Sequence, residues 1–209
     1  MKYKLAIFDF DGTLANSFTF ALSIADQISE KYQLEKVDIR EIETLRGYDT
    51  RQLAKRYGVR WWKLPGMVKD ARILMSQNTH KIPLFEGAGD LLRDLSGSGI
   101  TLALVTSNSL ENVQNILGPE IFGLFDYFEC GVSLFGKTTK FKKILRRSGF
   151  LPGETICIGD EIRDIRSAQK ANISACAVAW GYTRVDALQA QEPEQIFISM
   201  DEISRKLKL

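Results

Sequence analysis

Two pairs of carboxylates stand where a chain can do phosphate or metal chemistry. The first is Asp9-Phe10-Asp11-Gly12-Thr13-Leu14, directly after the apolar run Leu5-Ala6-Ile7-Phe8. Two acids at the exit of a buried strand are costly to desolvate unless they are paired or bind a metal. They could also simply end the strand and begin a turn at Gly12. The second pair lies in Ile156-Cys157-Ile158-Gly159-Asp160-Glu161-Ile162-Arg163-Asp164. If a helix starts there, the i, i+4 spacing puts Asp160 and Asp164 near one face of its first turn. An N-cap role for these acids also remains open. Acids at two strand exits would converge in one site, and such a cage of hard oxygens suits Mg²⁺ with waters and a substrate phosphate. The sequence has no Cys/His cluster, which argues against zinc.

Between these pairs lie groups that could hold an anion. Val105-Thr106-Ser107-Asn108-Ser109 ends another apolar run. Its hydroxyls and the N–H groups entering a following helix can bind a phosphate oxygen, or they can serve only as a helix cap. Further on, Phe135-Gly136-Lys137-Thr138 sets a lysine ahead of a helix. Pointed into the acids, Lys137 would neutralise carboxylate and phosphate together.

The elements that must position these residues can be read from periodicity. Apolar runs of strand length occur at residues 5–10, 100–105, 125–130, 155–158, 175–179 and 195–198. Runs apolar on both faces suit parallel strands covered above and below by helices. Helical patterns fill the gaps at 88–95, 110–117, 139–147, 162–171 and 201–207. This alternation predicts an open α/β sheet with right-handed crossovers. Residues 15–82 break it: they show helical spacing and no convincing strand. A crossover needs only about a dozen residues, so the expected organisation is a core of 1–14 and 83–209 with a helical insert at 15–82.

Of the 209 residues, 44% are hydrophobic and 26% charged, as in an ordinary globular chain. The formal charge of +2 shows no overall bias toward nucleic acid or an anionic membrane. It hides a division, because 12 Lys plus Arg against 8 Asp plus Glu give the insert +4, and 16 against 18 give the remainder −2. A basic insert is either a solvated surface or a lid that meets an anion. No run reaches 18 apolar residues, so no spanning helix is expected, and the short run after Lys4 is not a signal segment. Cys130, Cys157 and Cys176 sit in apolar settings and read as reduced core thiols, which points to a cytoplasmic protein. A monomer or weak homodimer is expected.

Taken in order, these motifs resemble the haloacid dehalogenase-like (HAD) hydrolase superfamily. Asp9-Phe10-Asp11-Gly12-Thr13 matches its Asp-x-Asp-x-Thr, Thr106 its hydroxyl after an apolar strand, Lys137 its lysine, and Gly159-Asp160 through Asp164 its paired acids. The resemblance spans nearly the whole chain, including the turn Ala179-Trp180-Gly181-Tyr182. The helical insert resembles the small cap of the phosphoglycolate phosphatase and phosphoglucomutase-like branch. The fold so implied is a Rossmann-like doubly wound parallel sheet carrying an all-helical cap.

The resemblance implies roles. Asp9 would be the nucleophile that forms an aspartyl-phosphate, and Asp11 the acid and then the base. Mg²⁺ would be bound by Asp9, the Asp11 main-chain carbonyl and Asp160, with Asp164 orienting its waters or Lys137. Thr106 and Lys137 would hold the phosphoryl oxygens, with Gly12, Ser107 and Asn108 as further members of the cradle. Asp11 favours an oxygen ester over a haloacid. The implied function is a Mg²⁺-dependent phosphatase of a small phosphorylated metabolite, phosphoglycolate- or sugar-phosphate-like. A phosphomutase, or a non-catalytic binder of a phosphate ligand, remains open. From the cap, Arg46 could reach the substrate, or could be a surface residue. Trp61-Trp62 is expected in the cap core or at its boundary with the sheet domain, Lys140, Lys142 and Lys143 on a solvated helix face, and His80 in no catalytic role.

Overall fold

The computed structural model describes residues 2–131 and 136–208. Six strands form one parallel sheet: β1 Leu5–Phe8, β2 Thr101–Val105, β3 Tyr127–Glu129, β4 Thr155–Gly159, β5 Ser174–Val178 and β6 Gln195–Phe197. Their spatial order is β3-β2-β1-β4-β5-β6, so β1 lies centrally, pairing with β2 on one side and β4 on the other. Every residue of β1 and β4 is buried.

Alternation along the central strands feeds two separate cores. Ala6 and Phe8 of β1 face one side with Leu102, Leu104, Ile156 and Ile158. Leu5 and Ile7 face the other with Ala103, Val105 and Cys157. Helices α1 Phe18–Tyr32, α2 Ile42–Leu45, α3 Thr50–Arg56 and α4 Leu64–Ser76 all precede β2. They are followed by α5 Ala88–Gly97, α6 Leu110–Phe122, α7 Lys137–Ser148, α8 Ile162–Gln169, α9 Val185–Gln189 and α10 Met200–Lys208. The amphipathic stripes of α5, α6 and α10 cover the Phe8 face, and those of α7, α8 and α9 cover the Ile7 face. The expected α/β sheet is therefore present, with both faces covered. The short α9 was not anticipated, and α6 is broken just after Leu117, where Gly118 takes φ +71° ahead of Pro119.

Residues 18–76 lie between β1 and β2 and contain only helices and turns. The chain leaves and re-enters the sheet region through one paired segment. Asn16 N donates to Pro83 O at 2.8 Å and Phe85 N to Leu14 O at 2.9 Å. Trp61 and Trp62 depart from expectation: they are 75% and 56% exposed. They occupy a single 3₁₀ turn, Trp61–Lys63, and pack edge-to-face on each other at 5.8 Å. One turn offers too little neighbouring surface to bury two indoles.

A buried carboxylate outside the acid motifs also shapes the fold. Glu129 at the end of β3 is 5% exposed and pairs with Lys140 at 3.0 Å, Lys143 at 2.7 Å and Arg147 at 3.5 Å. Lys140 and Lys143 are thus not merely solvated; they lock α7 to the sheet. Burial alone would raise the Glu129 pKa, yet the hydrogen bonds from Lys143 and Lys140 outweigh it and the net shift is downward.

Glu194 joins three further elements. It accepts from Tyr3 Oη at 2.9 Å and pairs with Lys206 at 3.0 Å. Partial burial raises its pKa, but the bonds from Lys206, Ser174 and Tyr3 outweigh that and bring it to about 2. Because the folded pKa lies below the unfolded one, this carboxylate stabilises the fold above about pH 4.3. The contribution fades as pH falls through the folded value. Glu194→Gln should lower the melting temperature at pH 7 by roughly 2–4 °C. In thermal melts followed by circular dichroism, the gap to wild type should narrow steadily between pH 4.5 and 2; a gap constant over that range would contradict the assignment.

Candidate active site

The acid motifs come together at the carboxyl ends of β1 and β4, next to the point where strand order reverses, where doubly wound sheets place ligands. Asp9 follows β1 and Asp160 follows β4, and they are 4% and 0% exposed. Asp9, Asp160 and Asp164 each offer a carboxylate oxygen within 4.8 Å of the others. One cation enters this cluster from α7: Lys137, 2% exposed, lies 2.8 Å from Asp9 Oδ2 and also pairs with Asp164 Oδ1. Gly136 precedes it, and Phe135 lies outside the described residues.

The electrostatics separate the three acids. Burial pushes the Asp9 pKa up to about 7, against the pull of Lys137. Burial and the nearby Asp9 charge push Asp160 well above the usual carboxylate range. Burial also penalises the Asp164 charge, but Lys137 and Arg163 outweigh it and hold its pKa down. Among the described residues, the hydrogen-bond donors to Asp160 are neutral, Thr13 Oγ1 at 2.9 Å and Tyr182 N at 2.8 Å. Two buried carboxylates that resist ionisation, with one lysine between three acids, make a donor set that an additional hard cation would stabilise. All the side-chain donors are oxygens, which fits Mg²⁺ better than a thiolate- or imidazole-seeking metal.

Asp11 stands apart. Its carboxylate is outside the three-acid cluster and accepts from Asn108 Nδ2 at 3.1 and 3.4 Å. Burial raises its pKa, opposed by hydrogen bonds from Ser17 and Asn108. Asn108 is itself held, accepting from Asn112 Nδ2 at 2.9 Å and donating its N–H to Thr106 Oγ1 at 2.9 Å. Thr106, Asn108 and Asn112 are buried and Ser107 is half-buried. The exit of β2 thus faces Asp11 through one rigid amide.

Arg46 is not brought to the acids. Its guanidinium donates to the carbonyls of Gly181 at 2.9 Å and Tyr182 at 3.0 Å, pairs with Glu43 at 2.9 Å and lies over the Phe18 ring at 5.4 Å. It clamps the helical insert to the loop after β5. That loop was quoted in the sequence only as a turn, yet it shapes the site. A Cβ at Gly181 would sit 2.2 Å from Asp160 Cβ, and one at Gly12 would sit 2.2 Å from Asp160 Oδ2 on a backbone at φ +79°. Both glycines are therefore close-approach positions. Gly181→Ala should cost roughly 1–3 kcal/mol of stability, as overpacking does, and displace Asp160. Chemical denaturation and catalytic assay together check this; a variant unchanged in both would show that the contact yields freely.

Arg163 was also passed over. Its Nη2 donates to Glu161 at 2.6 Å, and its buried charge helps to depress Asp164. The remaining cysteines behave as expected of inert thiols: Cys157 and Cys176 are buried, Cys130 is half-buried, and burial pushes Cys130 and Cys176 up to about 12.

Comparison with known proteins decides the family. The model of the haloacid dehalogenase-like hydrolase family matches residues 6–178. The chain belongs to the haloacid dehalogenase-like hydrolases. Among curated members, a phosphoglycolate phosphatase from Synechococcus elongatus is 28% identical over 90% of this chain and 89% of its own length. A pyrophosphatase from Oceanobacillus iheyensis is 22% identical over 97% and 96%. Among solved structures, a predicted phosphatase from Clostridium acetobutylicum superposes with a TM-score of 0.82 at 21% identity, covering 99% of both chains. The superfamily and the phosphoglycolate phosphatase-like branch expected from the motifs are thereby borne out, and at this identity the structural match establishes the shared fold. Among the described residues, no helix is long and apolar enough to cross a membrane.

Proposed function

We propose that this haloacid dehalogenase-like hydrolase is a Mg²⁺-dependent phosphatase that cleaves a small phosphate monoester through a phosphoryl group carried on Asp9. The phosphatase names of its relatives support the reaction class. One observation carries the reading: the two acids of the first motif have different partners. Asp9 lies in the buried cluster against Lys137, and Asp11 lies outside it, held by Asn108. Two carboxylates in contrasting environments are what a nucleophile and an acid/base require.

In this mechanism an Asp9 oxygen attacks phosphorus and the bond from phosphorus to the leaving oxygen breaks. Asp11 gives its proton to that oxygen, then takes one from the water that releases phosphate and frees Asp9. Thr106 and Lys137 hold the phosphoryl oxygens, with main-chain N–H groups near Gly12, Ser107 and Asn108 beside them. Asp9, Asp160 and the Asp11 main-chain carbonyl would hold Mg²⁺, while Asp164 orients Lys137. When bound, the metal supplies positive charge against the repulsion between a carboxylate and a phosphate dianion. Residues 15–82 act as the cap, and Arg46 sets its position relative to Asp160 rather than binding phosphate.

The test is phosphate release from a panel containing 2-phosphoglycolate, hexose phosphates and p-nitrophenyl phosphate, with Mg²⁺ and after EDTA. Release should fall to background after EDTA and return with Mg²⁺. Absence of metal-dependent release from every ester would overturn the proposal. Isomerisation of a hexose 1-phosphate without free phosphate would replace it with a mutase.

A further inference from the structure

A chain of side-chain amides runs from the insert to Asp11. Asn112 of α6 is 0% exposed, and its Nδ2 donates both to Asn108 Oδ1 at 2.9 Å and to the main-chain carbonyl of Arg72 on α4 at 3.0 Å. Asn108 Oδ1 also accepts from Ser109 N at 2.9 Å. A main-chain N–H can only donate, so the oxygen of the Asn108 amide faces Ser109 and its nitrogen is turned to Asp11. That nitrogen meets the Asp11 carboxylate at 3.1 and 3.4 Å, and it also meets Met75 Sδ, again on α4. The insert therefore supplies two outer partners of the chain, Arg72 O and Met75 Sδ.

Stability does not account for Asn112. Its Oδ1 is buried and meets no donor among the described residues, and an orphaned acceptor weighs against the folded state. Its two acceptors do not depend on it either. Asn108 Oδ1 keeps Ser109 N, and Arg72 O lies near the end of α4, where the helix supplies an N–H four residues on. A leucine of nearly the same shape would remove the orphan. What a leucine cannot do is hold the Asn108 amide in one orientation, with its nitrogen on Asp11.

We infer that Asn112 is a positioning residue for Asp11: it acts through Asn108 and is anchored on the insert, so the acid/base carboxylate takes its aim from the seating of α4 on α6. This rests on the phosphatase reading above and deepens it. Asn112 and Asn108 exchange no proton. Asp11 gives its proton to the leaving oxygen and recovers one from the attacking water, and the amides fix where its carboxylate stands when it does so.

The experiment follows turnover of ethyl phosphate and p-nitrophenyl phosphate by the Mg²⁺-loaded full chain. In Asn112→Leu, kcat for ethyl phosphate should fall by about 10–100-fold, the scale on which misplacement of a reacting group is felt, with KM changed by less than about threefold. The pre-steady-state burst of p-nitrophenol, whose release needs little help from an acid, should keep its wild-type rate. Met75→Leu should give the same pattern more weakly. In an Asp11→Asn background, Asn112→Leu should change steady-state turnover of p-nitrophenyl phosphate by less than about twofold, because the group it positions has gone. A further readout needs no turnover. The Asn108 side-chain amide protons, identified in NMR spectra by their loss in Asn108→Asp, should exchange with solvent at least about tenfold faster in Asn112→Leu. An unchanged kcat for ethyl phosphate, equal slowing of both esters in the first step, a full Asn112→Leu effect on top of Asp11→Asn, or unchanged exchange at Asn108 would each overturn the inference and spare the phosphatase reading. Hydrolysis of no ester would overturn the phosphatase reading instead, and exchange at Asn108 would still decide what Asn112 holds.

Discussion

Asp9→Asn is expected to lower phosphate release by on the order of 10³-fold or more, the scale on which loss of a covalent nucleophile is felt. The melting temperature should not fall. These two expectations have one origin. The Asp9 carboxylate is buried and its pKa is pushed up to about 7 by desolvation, so a neutral amide of the same shape removes an electrostatic cost from the folded state. Lys137 keeps its pairing with Asp164 and is not left alone. A residue that mattered only for architecture would behave in the opposite way, losing stability while sparing turnover. Measuring phosphate release and thermal melting on the same preparation separates the two. Activity within tenfold of wild type would remove Asp9 from the chemistry.

Asp11→Asn should reduce turnover of alkyl phosphates by about 10²–10⁴-fold, the usual worth of a positioned acid/base. Its signature differs from that of Asp9→Asn when the leaving group needs no proton. With p-nitrophenyl phosphate the first step needs little help, whereas release of phosphate from Asp9 still needs a base to activate water. A rapid burst of about one p-nitrophenol per enzyme, followed by slow turnover, is the expected stopped-flow trace. The structural basis is the separation of the two acids' partners. Asp11 lies 3.1 Å from Asn108 Nδ2, outside the three-acid cluster, so an amide there changes proton transfer and leaves the cluster's donors in place. Retained steady-state turnover would sink the acid/base role.

Much of this was legible in the chain because periodicity and spacing carry it. β1 and β4 read as buried strands because both faces are apolar, and the acids that follow them must then emerge at one edge of the sheet. What spacing cannot give is the direction of side chains in loops. Nothing in the sequence around Arg46 reveals that it binds two carbonyls of the β5 loop. Gly181 and Gly12 looked like turn residues, and their closeness to Asp160 joins segments that the sequence keeps apart, Gly12 from before the insert and Gly181 from beyond β5. Lys140 and Lys143 matched a solvated helix face because Glu129, their partner, belongs to another element. The indoles of Trp61 and Trp62 were misplaced for a related reason. Hydrophobic type predicts burial only where a neighbouring surface exists, and a single 3₁₀ turn supplies little. The short helix α9 escaped notice because five residues are too few to show a 3.6-residue period.

The loop after β5 holds two things at once. Tyr182 N binds Asp160, and the carbonyls of Gly181 and Tyr182 bind Arg46. Arg184 extends the same tie, its N–H reaching Arg46 O and its guanidinium Glu43 O. The insert and the acid cluster therefore share a mechanical element only a few residues long. Thermodynamic reciprocity then applies: whatever a cation at Asp160 does to the orientation of the insert, the orientation of the insert does in equal measure to the affinity for that cation.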